Sequence, residues 1–229
     1  SEMCIRDRLY DKKIIMEPKA FAVGLRIMHP QEFINNNAYG NNIYNLPAAD
    51  YKVTYKSVCT GRERGVYSFC MCPGGYVVNA SSEKNMLAVN GMSYSGRDSS
   101  NANSAMIVTV TPEDYGYGTL DGVKFQRKLE TAAYIAGEGK IPVQLLGDFK
   151  ENTASTSLGA VSPCIKGEYK LTNVRSILPD YIAEAISEGV TGCDRYIKGF
   201  DMDEALFAGV ESRTSSPVRI TRNDELVSA

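Results

Sequence analysis

Short apolar runs separated by turn residues predict β-strands through much of the first part of the chain. Some of these runs alternate with polar residues, as expected of half-buried strands, and others are continuously apolar. The predicted strands are residues 21–28, 51–55, 65–72, 76–79, 87–90, 106–111 and 218–222. The five middle segments predict an antiparallel or mixed sheet of about five strands.

Helical spacing of apolar positions becomes prominent later in the chain. Residues 123–136 and 179–197 have apolar positions that would line one face of a helix. Pro30 is expected at the first position of a short helix, and Asp201 is expected to cap another over residues 201–206. Residues 95–103 and 152–157 are polar and predict loops. A strand-rich middle followed by helices predicts an α+β fold.

The two ends differ from the rest of the chain. Residues 1–8 show no apolar period and resemble a translated sequencing adapter, so we expect a non-native tail that leads into no element. A new apolar run begins at Leu226 after the predicted strand 218–222. A strand without its partner suggests that the sequence is truncated there.

Charge and cysteine content exclude several classes of function. The formal net charge is -2, whereas a nucleic-acid-binding protein usually carries a basic surface. No apolar run approaches the ~18 residues of a membrane-spanning helix. The six cysteines are irregularly spaced, which predicts reduced thiols in a cytoplasmic protein. A single histidine argues against a histidine-based zinc site, and we expect no bound metal.

Nucleotide-binding and hydrolase motifs are missing from the sequence. There is no G-x-G-x-x-G, no G-x-x-x-x-G-K-[ST] and no G-x-S-x-G. The chain therefore offers no recognised phosphate-binding loop of its own.

Cys70 and Cys72 are the first candidate reactive groups. Two thiols one residue apart in a regular strand share a face, and Gly74 and Gly75 follow in a turn whose backbone could approach a ligand closely. They are either a redox-active pair beside a cofactor or two packed small side chains.

His29 and the segment 211–220 are the other candidates. His29 is either a proton donor or acceptor, or a turn residue that caps the following helix. The segment combines arginines and hydroxyls that suit a phosphate or carboxylate, although it could equally be a solvated turn. Its candidate binding residues are Arg213, Ser215, Ser216, Pro217 and Arg219.

Several long strings resemble those of uncharacterised bacterial FAD-dependent dehydrogenases. The similar strings are FAVGLRI with HPQ (21–31), YSFCMCPGG with VVNASSE (67–83), NGMSYS (90–95), PVQL with GDF (142–149) and the segment 209–220. The resemblance extends from about Lys19 to Ile220.

The resemblance implies a cap domain that is inserted between two halves of an FAD-binding domain. Residues 9–30 would be a partial FAD-domain crossing strand, 31–205 the substrate-side α+β cap, and 206–229 the truncated return strands. The cofactor would be FAD, with NAD(P)H as a candidate electron donor. Residues 213–219 and the Gly74–Gly75 turn would lie near the flavin, with Cys70, Cys72 and His29 as the nearest reactive groups.

The function implied is a fragment of an FAD-dependent oxidoreductase, inactive by itself, that acts on a small molecule of unknown identity. One alternative is a non-catalytic flavin-dependent binding or sensing protein, and another is a stand-alone binding module without flavin. Neither a nucleic-acid nor a membrane partner is expected. The sequence does not determine the oligomeric state.

Overall fold

The computed structural model describes residues 2–40, 46–225 and 227–228, and side chains from residue 5 onward. Leu226, where the sequence suggested a new apolar run, lies outside the described residues. The helices are α1 (Glu2–Asp11), α2 (Gln31–Tyr39), α3 (Pro112–Tyr115), α4 (Asp121–Ala136), α5 (Leu146–Lys150) and α6 (Asp180–Cys193). The strands are β1 (Met16–Pro18), β2 (Phe21–Pro30), β3 (Thr54–Ser57), β4 (Arg64–Cys72), β5 (Gly75–Asn79), β6 (Val89–Ser93), β7 (Asn101–Val110), β8 (Ile141–Leu145), β9 (Ile165–Lys166), β10 (Tyr169–Leu171), β11 (Leu206–Glu211) and β12 (Val218–Ile220).

The largest sheet has seven strands in the order β10-β8-β11-β2-β7-β4-β3. β10 pairs with β8 in parallel, and the other neighbours are antiparallel. The two longest strands, β2 and β7, pair along their full lengths near the centre. Both are buried along almost every position, because both faces of the sheet are covered there.

A three-stranded sheet, in the order β6-β5-β9, packs beside this central region. Its strand β6 contacts β2, β4 and β11 of the large sheet. The sharp turn at Pro73 and Gly74 connects β4 to β5 and so carries the chain from the large sheet into the small one. The Cys-Met-Cys segment at the end of β4 therefore lies where the two sheets meet.

α6 covers part of the large sheet through small residues. A Cβ atom on Gly189 would lie 2.6 Å from Val66 Cγ1, and one on Gly192 would lie 2.1 Å from Tyr55 Cε2. Glycine at these two positions lets the helix approach β4 and β3 closely. The buried face of α6 joins the main hydrophobic core through Ile182, Ala185, Ile186, Val190 and Cys193.

The predicted α+β fold is confirmed, and its two larger sheets contain both parallel and antiparallel pairs. α4 agrees closely with the predicted helix, and α6 forms the first part of the one predicted over 179–197. The five middle strands do not form one sheet, because β5 and β6 belong to the small sheet. The hydrophobic pattern could not show this, since a strand has the same two-residue period in either sheet.

Three local predictions were wrong. No helix forms over 201–206, because Leu206 already belongs to the buried strand β11. Pro30 ends β2 and precedes α2 with φ -55° and ψ 133°, so it is not the first helical residue. Residues 1–8 were expected to lead into no element, but α1 begins within them, and Arg6 donates to Gln126 Oε1 at 3.4 Å.

The division into residues 9–30, 31–205 and 206–229 stays a prediction. β2 and β11, which the sequence suggested as crossing strands, pair with each other at the centre of the large sheet. Their outer neighbours, β7 and β8, come from the predicted cap. Nearer the ends of the chain, β1 and β12 pair as a separate antiparallel ribbon.

Candidate functional site

Arg26 on β2 is the centre of a buried polar cluster at the junction of the two sheets. The side chain is completely buried although the guanidinium is charged. Nε donates to Asn103 Oδ1 at 2.7 Å, and Nη1 donates to Glu211 Oε2 at 3.0 Å. The remaining acceptors are Asn90 Oδ1 at 3.3 Å from Nη1, the main-chain oxygen of Cys70, and Cys72 Sγ at 3.4 Å from Nη2.

The geometry of the cluster requires a glycine opposite the guanidinium. A Cβ atom on Gly91 would lie 2.2 Å from Arg26 Nη2 and 2.4 Å from Asn103 Oδ1. These distances are far below van der Waals contact, so β6 lies directly against the arginine. Arg26 thereby connects four strands of two sheets, β4, β6, β7 and β11, to its own strand.

The two candidate cysteines lie in a β-bulge. The register between β4 and β7 shifts between Phe69 and Cys72, and Cys70 has φ +44°, in the left-handed region. The prediction that both thiols share one face of a regular strand was therefore wrong, because the bulge interrupts the alternation. Cys70 is exposed, whereas Cys72 is half-buried and its thiol donates to the main-chain oxygen of Cys70 at 3.3 Å.

Glu211 is the carboxylate partner of Arg26 inside the protein. Burial raises the pKa of Glu211, and the Arg26 charge opposes that rise. Burial also raises the pKa of the Cys72 thiol; here too Arg26 opposes the rise, while Cys70 and Glu211 add to it. Cys72 is consequently a protonated thiol at neutral pH, even though a guanidinium is 3.4 Å away.

The segment after Glu211 is held by a second buried carboxylate, Glu130 on α4. Glu130 Oε1 accepts from Ser212 Oγ at 2.6 Å and from Arg213 Nε at 2.8 Å, while Oε2 accepts from Arg213 Nη2 at 2.6 Å. Gln126, one turn earlier on α4, donates to the main-chain oxygen of Ser212 at 2.6 Å. Arg213 therefore makes a two-point ion pair inside the chain.

The other candidate cofactor-binding residues have partners in the chain or are exposed. Arg219 pairs with Glu17 across the β1–β12 ribbon at 2.7 Å. Ser216 Oγ donates to the main-chain oxygen of Val218 at 2.8 Å, and Pro217 packs against Gly122. Ser215 is exposed.

Gly74 and Gly75 are packed against the protein itself. A Cβ atom on Gly74, whose φ is +47°, would lie 1.8 Å from the main-chain oxygen of Arg97. One on Gly75 would lie 2.6 Å from the main-chain oxygen of Met92. The Gly74 N–H donates to Gln31 Oε1 at 2.7 Å. The turn therefore needs glycine in order to pack against its neighbours.

His29 lies on β2 and is completely buried. Its Nε2 lies 2.8 Å from the main-chain oxygen of Phe200, and its ring contacts those of Phe33 and Phe200. Burial lowers the pKa of His29 to about 4, so the ring is neutral at physiological pH. The suggested capping role was wrong, because His29 lies within a strand and no side chain caps α2.

These observations test whether the proposed cofactor-binding residues fit FAD. A dinucleotide pyrophosphate needs unpaired N–H groups at a glycine-rich helix start or cationic side chains directed toward it. The two arginines instead bind Glu130 and Glu17, and the two glycines contact backbone oxygens. In their present contacts the seven residues offer no glycine-rich helix start and no arginine without a carboxylate partner, and their role in cofactor binding stays a prediction.

Sequence reasoning missed Arg26, Asn103, Glu130 and Gly91. The usable signal was Arg26 itself, because a lone arginine within the apolar run FAVGLRIM is expensive to bury without a partner. No local signal identified its partners, which lie 64, 77 and 185 residues away at Asn90, Asn103 and Glu211. The structure brings together Cys70, Cys72 and the start of the segment 211–220, whereas the contacts of His29 are to Phe33 and Phe200.

Neither a membrane span nor a metal-binding cluster is found in the part of the chain that the structure describes. None of its helices is long and apolar enough to cross a bilayer. Within the same residues, no group of three or more histidine, cysteine, aspartate or glutamate side chains is arranged to hold a metal ion.

Comparison with known proteins identifies the family. Residues 20–214 match the family described as FAD-dependent protein, C-terminal domain-like, and the chain belongs to that family. It is also 51% identical over 228 residues to an uncharacterized protein of Clostridium beijerinckii (strain ATCC 51743 / NCIMB 8052). The alignment covers 97% of this chain and 42% of that relative, so the chain spans about two-fifths of the relative's length.

Proposed function

We propose that this chain is the substrate-side portion of a longer FAD-dependent oxidoreductase. Family membership supports a link to FAD-dependent proteins. The observation that carries the proposal is the contact of Arg26 with both segments that the sequence singled out. It binds the main-chain oxygen of Cys70, the thiol of Cys72 and the carboxylate of Glu211.

In this proposal the missing part of the protein binds FAD, because the described residues provide no phosphate-binding loop. Bound FAD would supply hydride or electron transfer. The present chain contributes one side of the substrate site, where the Cys70–Gly75 turn and the segment 211–217 are held next to each other. This surface would orient a substrate and exclude water from the reacting atoms.

Cys70 and Cys72 are proposed as the groups nearest to the reaction. Cys70 is exposed and is displayed by a bulge, a feature that often redirects a side chain beside an active site. Cys72 lies beneath it against Arg26. His29 has no comparable support, because its ring is enclosed by Phe33 and Phe200.

The test uses the full-length protein that contains this chain. We expect the purified protein to carry FAD. A reductant, for which NADH and NADPH are the candidates, should reduce this FAD, and candidate acceptors should reoxidise it. Cys70→Ser and Cys72→Ser should slow reoxidation by disulfide acceptors at least about tenfold if the thiols take part. Cys59→Ser is the matched control, because Cys59 is also exposed but lies outside the Arg26 cluster. Its thiol forms a hydrogen bond with the Ser57 hydroxyl.

Two results would separate this proposal from the alternatives. Flavin that binds but never turns over with any donor and acceptor would favour a sensing or ligand-binding protein. Full-length protein that binds no flavin would contradict the proposal. Unchanged reoxidation in both cysteine variants would leave the thiols as packing residues while the flavin assignment stands.

A further inference from the structure

Arg26 offers one positive charge to two ionisable groups. Glu211 Oε2 lies 3.0 Å from Nη1, and Cys72 Sγ lies 3.4 Å from Nη2 of the same guanidinium. The arginine side chain is completely buried and that of Glu211 is 4% exposed. If carboxylate and thiolate were both ionised, this buried cluster would hold a net negative charge, which is costly in a poorly solvated site.

We propose that Arg26, Glu211 and Cys72 form a proton-holding unit in which one guanidinium is balanced by either a carboxylate or a thiolate. In the resting arrangement Arg26 pairs with the Glu211 carboxyl group at 3.0 Å and Cys72 carries the proton. When Cys72 loses its proton to water or to a basic atom of a bound substrate, the thiolate takes over part of the Arg26 interaction, and Glu211 gains affinity for a proton. This inference rests on the proposed function, for which it supplies a buffered proton source.

The position of Cys72 makes it the member that exchanges its proton with the surroundings. Glu211 is enclosed, whereas Cys72 is half-buried at the surface where Cys70 is exposed. The pKa of each group is raised by burial and held down by Arg26, and the carboxylate of Glu211 contributes to the rise of the Cys72 pKa. Each acid is therefore sensitive to the protonation of the other.

The surroundings contain few competing charges. The buried Tyr51 hydroxyl also interacts with Arg26 and Cys72, but burial raises the pKa of Tyr51, so it stays neutral while thiols titrate. Of the groups that influence the Cys72 thiol, Arg26 comes from β2, Glu211 from β11, and Cys70 from its own strand. Ser93 on β6 is a neutral hydrogen-bonding neighbour, and Asn90 and Asn103 are neutral ligands of the guanidinium. A change in charge at Arg26 or Glu211 should thus dominate the titration of Cys72.

The experiment measures the rate of Cys72 alkylation by iodoacetamide between pH about 6 and about 10, the range in which thiols titrate. The full-length protein carries Cys70→Ser, so that mass spectrometry of the 65–84 peptide reports Cys72 alone. Glu211→Gln removes the competing carboxylate, and we expect the midpoint of the rate profile to fall by about one pH unit. At a pH below both midpoints, that shift raises the alkylation rate by up to about tenfold.

Arg26→Met should move the midpoint in the opposite direction, because Arg26 is the cation that lowers the pKa of the Cys72 thiol within the described part of the chain. Arg64→Met is the matched control: Arg64 is also nearly buried on the same sheet and pairs with Asp114 at 2.6 Å, but Asp114 is on α3. It should cost comparable stability and leave the Cys72 profile unchanged. Opposite shifts for the two cluster variants support the unit.

Shifts in the same direction, or no shift for Glu211→Gln, would overturn it, because they indicate only loosened packing. If Arg26→Met fails to fold, Glu211→Gln alone decides the question, since its midpoint must fall. Flavin content is measured on the same preparations. Loss of flavin with the expected shifts would count against the proposed function alone, and normal flavin without the shifts would count against the proton-holding unit alone.

Discussion

His29 shows how the environment of one residue removes its usual chemistry. The ring is completely buried between Phe33 and Phe200, and its pKa falls to about 4. In the unfolded chain the same ring titrates near 6.5. Between these two values the unfolded state binds more protons than the folded state, so acid favours unfolding.

A pH titration of stability tests this burial. The contribution of neutral His29 to the free energy of unfolding is fully present above pH about 6.5. It is lost as the pH falls toward about 4, and the total loss is ~3 kcal/mol. His29→Gln keeps an Nε2 donor for the Phe200 oxygen but does not titrate. Urea unfolding over this range should therefore show a shallower loss of stability for His29→Gln than for the wild type. Parallel curves would show that the His29 ring is protonated as easily in the folded protein as in the unfolded chain.

At the scale of elements, the contact between β6 and the large sheet depends on a missing side chain. A Cβ atom on Gly91 would collide with Arg26 Nη2, and the guanidinium cannot move without losing its partners. We expect Gly91→Ala to lower the free energy of unfolding by about 3 kcal/mol. Gly65→Ala on β4 is the control, because its Cβ would meet nothing within 4 Å. Equal stability of the two variants in chemical denaturation would contradict the close packing.

The attachment of the segment 212–217 to α4 provides another test. Glu130 is completely buried and binds both Ser212 and Arg213, so Glu130→Gln should cost about 2 kcal/mol and loosen the segment. Limited trypsin digestion should then cleave after Arg213 faster than in the wild type. Glu17→Gln breaks only the exposed pair with Arg219 and should change stability by less than about 1 kcal/mol. Resistance of Glu130→Gln to cleavage would show that other contacts hold the segment.

For the whole molecule, the central expectation concerns where FAD is held. The described residues contain no free phosphate-binding loop, and the candidate arginines are engaged with Glu130 and Glu17. We therefore expect the 229-residue chain to lose FAD on gel filtration, while the longer protein retains it. Visible flavin absorbance of the eluted protein measures both. Stoichiometric FAD on the short chain would contradict this expectation.

The sequence predicted local elements better than their assembly. The apolar patterns of β4, of the second half of β7 and of α4 predicted these elements because each buries a continuous face. Residues 101–103, predicted as part of a loop, instead begin β7, because their polar side chains are buried by neighbours far away in the chain. The sequence did not predict how the strands divide between the two sheets, since strand pairing depends on residues far apart in the chain. The Cys70 bulge was hidden for the same reason: the hydrogen bond that holds it comes from Arg26, 44 residues earlier.

The ribbon formed by β1 and β12 has a consequence for how this unit can be handled. Met16 lies opposite Ile220, and Pro18 lies opposite Val218, so the chain enters and leaves the large sheet through adjacent antiparallel strands. Strands in that register are separated by about 5 Å. The segment from Lys19 to Pro217 therefore begins and ends at one point of the fold, where the Lys19 N–H donates to the main-chain oxygen of Pro217 at 2.8 Å. A fluorescent donor and acceptor attached at the two ends should thus stay at near-contact distance for as long as the ribbon is paired.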